Sequence, residues 1–203
     1  MPRATPVLRQ IRKAIADRDL LKVLTSEIKH ELSSNRFQDS QSGSLGDFVL
    51  IWDAPKSLDV FLRRKYDTGE EVAVSAFLDP QTYSSDDMLP REALMKVCIK
   101  KPGLCSNLQF DCRVFSGGNC RFEFDIHNAY YLRSSTCLSP SVYRGPLFSS
   151  LDPQLQEALK EYLVDKGVGE SLTNFLLHHL HRKEQAQYVH WLHELEKFVG
   201  EDV

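Results

Sequence analysis

Several common signatures are missing from this sequence of 203 residues. No apolar run approaches the ~20 residues that cross a bilayer as a helix, so we expect no membrane insertion. None of the five asparagines begins an Asn-x-Ser/Thr sequon, so N-glycosylation has no acceptor. The phosphate-loop, dinucleotide, serine-hydrolase and zinc-protease motifs are absent as well. The motifs therefore do not describe an enzyme, and we expect no catalytic residues and no cofactor.

Cysteine is present without the patterns that usually make it chemically active. No Cys-x-x-Cys pair occurs, and the spacing suits successive strands better than a zinc knuckle. The odd count leaves at least one thiol without a partner in its own chain. We therefore expect a reducing compartment with mostly buried, inert thiols. The five cysteines are Cys98, Cys105, Cys112, Cys120 and Cys137.

The chain also has little excess of negative over positive charge, since the net charge is only −3. It is unevenly distributed: residues 1–65 hold twelve Lys+Arg against eight Asp+Glu, and the remainder holds thirteen against twenty. A mildly basic beginning thus precedes a mildly acidic body. This charge balance does not favour binding to nucleic acid or strong attraction to a membrane. Whether the protein binds nucleic acid directly stays open.

The opening segment, "MPRATPVLRQIRKAIA", contains four basic residues and no acid. This composition resembles a short mitochondrial presequence, and we treat residues 1–18 as a basic leader with a possible targeting role. The alternative is a basic first turn of a structural helix, because Asp17 and Asp19 soon follow. Both interpretations remain open at this stage. The rest of the chain, residues 19–203, is expected to form a single domain.

Hydrophobic periodicity predicts the architecture of that domain. Leucines and Ile28 recur at helical spacing from Asp19 to Ser34, after which the period changes to two. The tight turns between the period-two segments leave no room for crossover helices, so the strands should be antiparallel neighbours. One face of the sheet should be covered, and the other should be wet or contact a polar partner. An exposed acidic flap is expected from Asp79 to Pro90. The predicted strands are "DFVLIW", "SLDVFLRRKY", "EVAVSAFL", "ALMKVCIKK", "LQFDCRVF" and "RFEFDIH".

The last fifty residues return to helical signals. Ser150 or Asp152 is suited to cap a helix that begins at Pro153 and stops at Gly167. A second helix is predicted from near Ser171 to about Val199. The fold class is therefore α+β, with one helix, six or seven antiparallel strands and two further helices.

Five of the seven histidines lie on that last helix. At ~100° per residue, His178 and His181 fall opposite the apolar side, as do His190 and His193 farther along. Only His179 lies near the apolar stripe. The two pairs are twelve residues apart, about 18 Å on a helix, so they cannot share a metal ion. We expect a mostly solvated histidine face and no metal site.

The apolar side of the same helix shifts by roughly a quarter turn between its two halves. The first half is predicted to cover the sheet, and the second half to meet another helix or another subunit. The alternative is a kink near Arg182–Gln185 with both halves on one core. The expected helix-packing and oligomer contacts are Tyr188, Trp191, Leu192, Leu195 and Phe198.

The tail of the chain resembles the mitochondrial glycoprotein, or mitochondrial matrix acidic protein, family. The resemblance lies in Leu151–Asp152, in "YLVDKGV" at Tyr162–Val168, in Tyr188 and in the ending "WLHELEKFV". The segments "LLKVLTSEIKHE" and "YRGPLFSSLD" extend it over about residues 19–200. The segment "SLGDFVLIWD" is typical of plant members.

The resemblance implies a seven-stranded antiparallel sheet flanked by one N-terminal and two C-terminal helices, assembled as a homotrimer. It also implies a location in the mitochondrial matrix, with the cytosol or nucleus as the alternative. Members act without catalysis as adaptor or chaperone-like proteins in oxidative phosphorylation and mitochondrial translation, with mitochondrial, ribosomal or RNA-processing proteins as partners. Well-studied relatives are strongly acidic, whereas this chain is only weakly so, which puts capture of basic partners by charge in doubt.

Two functions from different classes therefore follow. The first is a non-enzymatic oligomeric adaptor of the matrix. The second is a small-ligand carrier with an apolar cavity between the sheet and the C-terminal helix.

Overall fold

A computed structural model describes residues 6–34, 43–80, 91–116, 122–134 and 142–200, with side chains from residue 17 onward. One long helix comes first, followed by the strands and then by two more helices. The elements are α1 (Pro6–Ser33), β1 (Val49–Trp52), β2 (Val60–Lys65), β3 (Glu71–Leu78), β4 (Ala93–Lys100), β5 (Asn107–Ser116), β6 (Phe122–Leu132), a short 3-10 helix (Phe148–Ser150), α2 (Pro153–Asp165) and α3 (Glu170–Gly200).

The strands form one antiparallel sheet in sequence order, β1 to β6. Short connections between successive strands allow only neighbouring antiparallel pairs, as the sequence predicts. In β3 and β4 every second side chain is buried, and the register sets Val74 opposite Val97 on the same face. This alternation is what gives the sheet one apolar core face.

Strand β1 differs from the other strands because all four of its side chains are exposed. It lies at the edge of the sheet and pairs only with β2. The sequence predicted this strand from its apolar residues, and its existence is confirmed. Its apolar run does not alternate between a buried and a wet side, in contrast to β3 and β4.

Helix α2 begins and ends where its capping residues predict. The Asp152 carboxylate accepts a hydrogen bond from the backbone N–H of Gln154, and Pro153 occupies the first turn. Gly167 follows the helix with φ at +82°. A Cβ at this position would also lie 2.5 Å from a guanidinium nitrogen of Arg64. The left-handed backbone conformation therefore favours glycine, and a larger residue would also require the end of the Arg64 side chain to move.

Two compact units divide the chain. The sheet, α2 and the first part of α3 belong to the unit that spans residues 40–182. Within it, Oγ1 of Thr173 donates a hydrogen bond to the carbonyl oxygen of Phe122 at 2.8 Å, and Leu176 is fully buried. The first half of α3 thus covers the sheet, which confirms the sequence-based prediction.

The other unit comprises residues 1–39 and 183–203. Here Leu192 of α3 packs with Leu24 and Ile28 of α1 in a small apolar cluster. The second half of α3 therefore meets another helix, again as predicted, and the unit boundary after Arg182 coincides with the shift in its apolar side. Helix α1 begins at Pro6 and continues without interruption through Asp19, so the basic segment and the predicted helix form one element.

The α+β class and the order of helices and strands are confirmed. Six strands occur in the described residues, one fewer than the family resemblance implies. The predicted acidic flap lies mainly outside those residues. No helix in the described ranges is long and apolar enough to span a membrane.

Candidate interaction surface

The histidines at the start of α3 are placed differently from the sequence prediction. His178 and His181 are only 3% and 1% exposed, so the prediction that both lie on a solvated face is wrong. They lie in a second buried row beside the leucine stripe, together with Thr173 and Leu177. Thr173, Leu177 and His181 are spaced four residues apart, which puts them on one side of the helix. The buried arc of α3 is therefore wider than one apolar stripe.

Both ring nitrogens of His181 have hydrogen-bond partners. Nδ1 donates to the carbonyl oxygen of Leu177 at 2.8 Å, and Nε2 accepts from the backbone N–H of Arg91 at 3.3 Å. This arrangement requires a neutral imidazole with its proton on Nδ1. Burial lowers the pKa of His181 to about 4, against an opposing effect of the bond to Leu177. At neutral pH His181 is thus an uncharged structural residue.

His178 is also part of the packing. Its ring meets the ring of Phe122 edge-on, with centroids 5.3 Å apart. Burial lowers its pKa, and the nearby charge of Arg182 acts in the same direction. A neutral imidazole against an aromatic ring contributes packing, not proton transfer.

The remaining histidines of α3 occupy more polar positions. Nε2 of His179 lies 2.8 Å from a carboxylate oxygen of Asp53, and its ring stacks on Phe175. His190 and His193 have largely exposed side chains near glutamates on the same helix. The sequence prediction was correct for these last two. Within the described residues, no three His, Cys, Asp or Glu side chains are grouped to hold a metal ion.

The apolar seam between α1 and the end of α3 contains two of the predicted contact residues. Leu192 is 3% exposed, and Leu195 and Val199 are partly buried beside it. A hydrogen bond at 2.8 Å from Oγ1 of Thr25 to Glu196 joins the same two helices. These contacts hold the helix pair together.

The other three predicted contact residues are exposed aromatics. Trp191 is 51% exposed and Phe198 is 75% exposed. They are seven residues apart, so they lie on the same side of α3. Tyr188 stacks on Trp191 with centroids 6.0 Å apart, and its hydroxyl donates to Glu27 at 3.2 Å. We call Tyr188, Trp191 and Phe198 the aromatic patch.

Further exposed apolar side chains occur in the same helical unit. Leu20, Val23 and Leu32 of α1 are all exposed. Isolated apolar side chains are common on protein surfaces, and these three add to the exposed aromatic side chains of α3. The helix pair therefore offers an apolar surface beyond what its own packing uses.

The outer face of the sheet contains charged side chains. Lys96 lies opposite Asp111 across β4 and β5, with a distance of 3.8 Å between the charged atoms. At the sheet end that includes Glu71, the Arg63 guanidinium lies 2.5 Å from the carboxylate. Its hydrogen bond lowers the pKa of Glu71. Paired charges of both signs fit the prediction of a wet or polar-contacting face, and these pairs leave no excess of negative charge among the sheet residues named here.

A largely apolar cavity of about 420 Å³ lies between one end of the sheet and α2. Ile99, Leu108 and Tyr131 are cross-strand neighbours and form its floor. Leu159 and Tyr162 of α2 form a wall. Sequence reasoning did not locate this cavity, because it depends on how α2 lies against the strand ends.

An ion pair fixes α2 beside the cavity. Nζ of Lys166 lies 2.6 Å from Oε2 of Glu70, and both side chains are largely buried. The hydrogen bond that Lys166 donates to this carboxylate is the main cause of the raised pKa of Lys166. The Lys166 ammonium also lies near the rings of Tyr66 and Tyr162, at 5.1 and 5.3 Å from their centroids. The pair joins the end of α2 to the turn between β2 and β3.

The cysteines described by the structure are free thiols. Burial raises the pKa of Cys112 to about 12, so this thiol stays protonated. Burial is also the main cause of the raised pKa of Cys98, whereas Cys105 is exposed. Cys112 and Cys98 agree with the expectation of inert thiols. Cys120 and Cys137 lie outside the described residues.

The fold and the surface define a class of protein: an α+β domain with one antiparallel sheet, a helix pair and an exposed aromatic patch. Residues 24–199 match the family model described as "Mitochondrial glycoprotein". This chain belongs to the mitochondrial glycoprotein family, and the resemblance noted from its tail is confirmed.

Two relatives extend this assignment. The mitochondrial acidic protein mam33 of Schizosaccharomyces pombe is 30% identical over 137 residues, which cover 60% of this chain and 49% of that protein. The match thus spans about half the length of the yeast protein. An uncharacterised mitochondrial protein of Arabidopsis thaliana is 27% identical over 202 residues, covering 93% of this chain and 77% of that protein. The expected mitochondrial location, in the matrix, is confirmed by these relatives.

Two solved structures share the fold. The p22 protein of Trypanosoma brucei superimposes with a TM-score of 0.66 at 21% identity, covering 91% of this chain and 99% of that one. A hypothetical protein of Leishmania major, described as a sequence homologue of human p32, gives a TM-score of 0.65 at 18% identity with the same coverage. At this level of identity the likeness concerns the fold alone.

Proposed function

We propose that this protein is a non-enzymatic, oligomeric adaptor of the mitochondrial matrix with a chaperone-like role. Its clients are proteins of oxidative phosphorylation and of mitochondrial translation or ribosome assembly. Membership of the mitochondrial glycoprotein family supports this role. The observation that carries the proposal is the aromatic patch, since an exposed tryptophan and phenylalanine on one side of a helix suit contact with another protein.

The proposed oligomer is a homotrimer in which the aromatic patch contacts a neighbouring copy. Leu192 and Leu195 hold α3 on α1 within one chain, which leaves Trp191 and Phe198 for a second chain. Burying two such rings would contribute several kcal/mol on the scale of about 25 cal/mol per Å². The assembly then presents several copies of each client-binding surface, which raises avidity.

The weak net charge changes how such an adaptor would bind. A protein with a charge of −3 and paired charges on its sheet has no intense negative field to attract basic partners. Client binding in this protein is therefore proposed to depend on apolar and shape complementarity, and to tolerate salt.

Affinity purification from isolated mitochondria tests the adaptor role. The tagged full chain should retain respiratory or ribosomal proteins at moderate salt. A Trp191→Glu/Phe198→Glu variant should lose self-association and with it most of that set. Ala186→Glu is the matched control, because Ala186 is an exposed position on the same helix. A full chain that retains no mitochondrial protein above an untagged background would contradict the adaptor proposal.

A small-ligand carrier is the second candidate, and the cavity between the sheet and α2 favours it. The cavity lies against α2, whereas the sequence-based hypothesis expected it beside the C-terminal helix. Protein purified from mitochondria and analysed by mass spectrometry under native and then denaturing conditions tests this candidate. A carrier should release a defined small molecule on denaturation, and protein with no bound small molecule would count against it.

A further inference from the structure

The cavity beside α2 combines an apolar interior with one kind of charge. Its floor is the cross-strand row Ile99, Leu108 and Tyr131, and its wall is the α2 side chains Leu159 and Tyr162. A volume of about 420 Å³ lies within the roughly 300–1,000 Å³ of small-molecule sites. An extended protein partner is not needed to fill such a space.

Among the lining residues that the structure describes, Lys101 is the only one with an ionised side chain, and none has a carboxylate. It lies in the connection from β4 to β5, beside Leu104, and is exposed at the rim. Within the part of the chain that the structure describes, Lys101 is in no ion pair. An ammonium group at the mouth of an apolar cavity favours a ligand with a negative end and an apolar body.

The acidic group next to this site does not oppose an anion. Oε1 of Glu70 lies 3.5 Å from the Tyr162 hydroxyl, outside the cavity lining. The same carboxylate is engaged by Lys166 at 2.6 Å, so its charge is compensated. Among the described lining residues, Lys101 is therefore the charged group that an anionic ligand would meet.

We infer that the cavity binds a small monocarboxylate with an apolar body, of the kind represented by a medium-chain fatty acid. The apolar body contacts the leucines and tyrosine rings, and the carboxylate lies at the rim against Lys101. This inference rests on the carrier function proposed above and names its ligand class.

Titration of the full chain with three eight-carbon probes tests the ligand class. The probes are octanoate, octanol and octylamine, which share an alkyl chain and differ in charge. Calorimetry measures affinity, and heteronuclear NMR locates the shifted residues. We expect saturable binding in the order octanoate, octanol, octylamine, with shifts confined to the cavity residues.

Two pairs of variants locate the site. Leu159→Arg places a charge in the wall and should abolish octanoate binding, whereas Leu155→Arg, one turn earlier on α2 and outside the lining, should not. Lys101→Glu lies on an exposed connection, where it leaves the core intact. It should weaken the binding of octanoate roughly twofold to fivefold, the scale of an exposed ion pair, and leave the binding of octanol unchanged. Lys56→Glu, an exposed lysine before β2 at the other end of the sheet, is its charge-matched control.

Each other outcome has a distinct meaning. Equal affinity for octanoate and octanol would overturn the carboxylate claim and leave the carrier function standing. No saturable binding of any probe would overturn both. Stronger binding of a short peptide with an apolar C-terminal residue would replace the small molecule by a protein terminus. Identical losses in Leu159→Arg and Leu155→Arg would show that the ligand binds elsewhere.

Discussion

Nε2 of His181 accepts a hydrogen bond from the backbone N–H of Arg91 at 3.3 Å, so the long C-terminal helix is tied to the chain two residues before β4. The other ring nitrogen donates to Leu177. A neutral ring satisfies both partners, and a protonated ring has no acceptor to offer Arg91. The contact between the helix and the sheet thus depends on His181 remaining uncharged.

Acid should weaken the fold through this residue. The pKa of His181 in the folded state is about 4, below the ordinary value of 6.5. The unfolded chain therefore takes up the proton first, and the stabilising contribution is complete above pH 6.5 and is lost as the pH falls toward 4. The loss is on the order of 3 kcal/mol. Urea unfolding at a series of pH values measures it.

Substituted histidines isolate this effect from the carboxylates that titrate in the same range. His181→Gln should flatten the dependence of unfolding free energy on pH between 6.5 and 4. His190→Gln, the same change at an exposed position, should keep the wild-type profile. Equal slopes for the wild type and His181→Gln would show that His181 is not the group responsible.

Loss of the Lys166 ammonium should destabilise the sheet unit. Lys166→Met leaves the Glu70 carboxylate largely buried without its partner, and removing one member of a buried pair costs about 3 kcal/mol. Restoring neutrality with Glu70→Gln in the same chain should recover part of that loss. Urea midpoints measure both changes.

Lys160→Met is the control for that substitution. The Lys160 ammonium lies 4.0 Å from Asp125 with both side chains more exposed, so its loss should cost less than about 1 kcal/mol. A cost for Lys166→Met as small as that of Lys160→Met would mean that the Glu70–Lys166 pair contributes little to stability.

Truncation of Leu192 should loosen the helix pair. This side chain is 3% exposed against Leu24 and Ile28, and Leu192→Ala should cost about 2–5 kcal/mol. Leu32→Ala, at a largely exposed leucine of α1, should cost less than about 1 kcal/mol. Hydrogen exchange of the amides in α1 provides the local readout. Unchanged protection in Leu192→Ala would contradict the packing described for this seam.

The basic opening of the chain should be necessary for mitochondrial import. A fluorescent fusion of the full chain is expected in mitochondria, and one starting at Asp17 is expected to be diffuse. Because α1 runs through Asp19 without a break, the segment need not be removed after import. Mitochondrial signal from the truncated fusion would show that the import information lies elsewhere.

The strands were predictable because their chemistry is local. Val72, Val74 and Ala76 alternate with smaller or polar residues, and this pattern alone identifies the buried face of β3. Asp152 and Gly167 likewise fix the ends of α2 through their own backbone chemistry. Such signals require no knowledge of distant parts of the chain.

The buried histidines could not be predicted in the same way. The leucine stripe indicated one buried side of α3, but Leu177 and Thr173 extend the buried arc, and His181 follows them by one turn. A histidine on that row counts as polar in any hydrophobic pattern, although here backbone groups satisfy both its nitrogens. The one signal in the sequence for a buried His181 was its position in the same row as Thr173 and Leu177, one turn after Leu177. The cavity beside α2 gave no such signal, because its walls come from distant segments.

Self-association of the intact chain is the most direct test of the central proposal, an oligomeric adaptor. Native mass spectrometry, supported by sedimentation at micromolar concentration, should give three times the chain mass of 23.3 kDa. Trp191→Glu/Phe198→Glu should shift the population to the single-chain mass, and Ala186→Glu should leave it unchanged. A well-folded, monodisperse monomer of the wild-type chain would contradict the proposal.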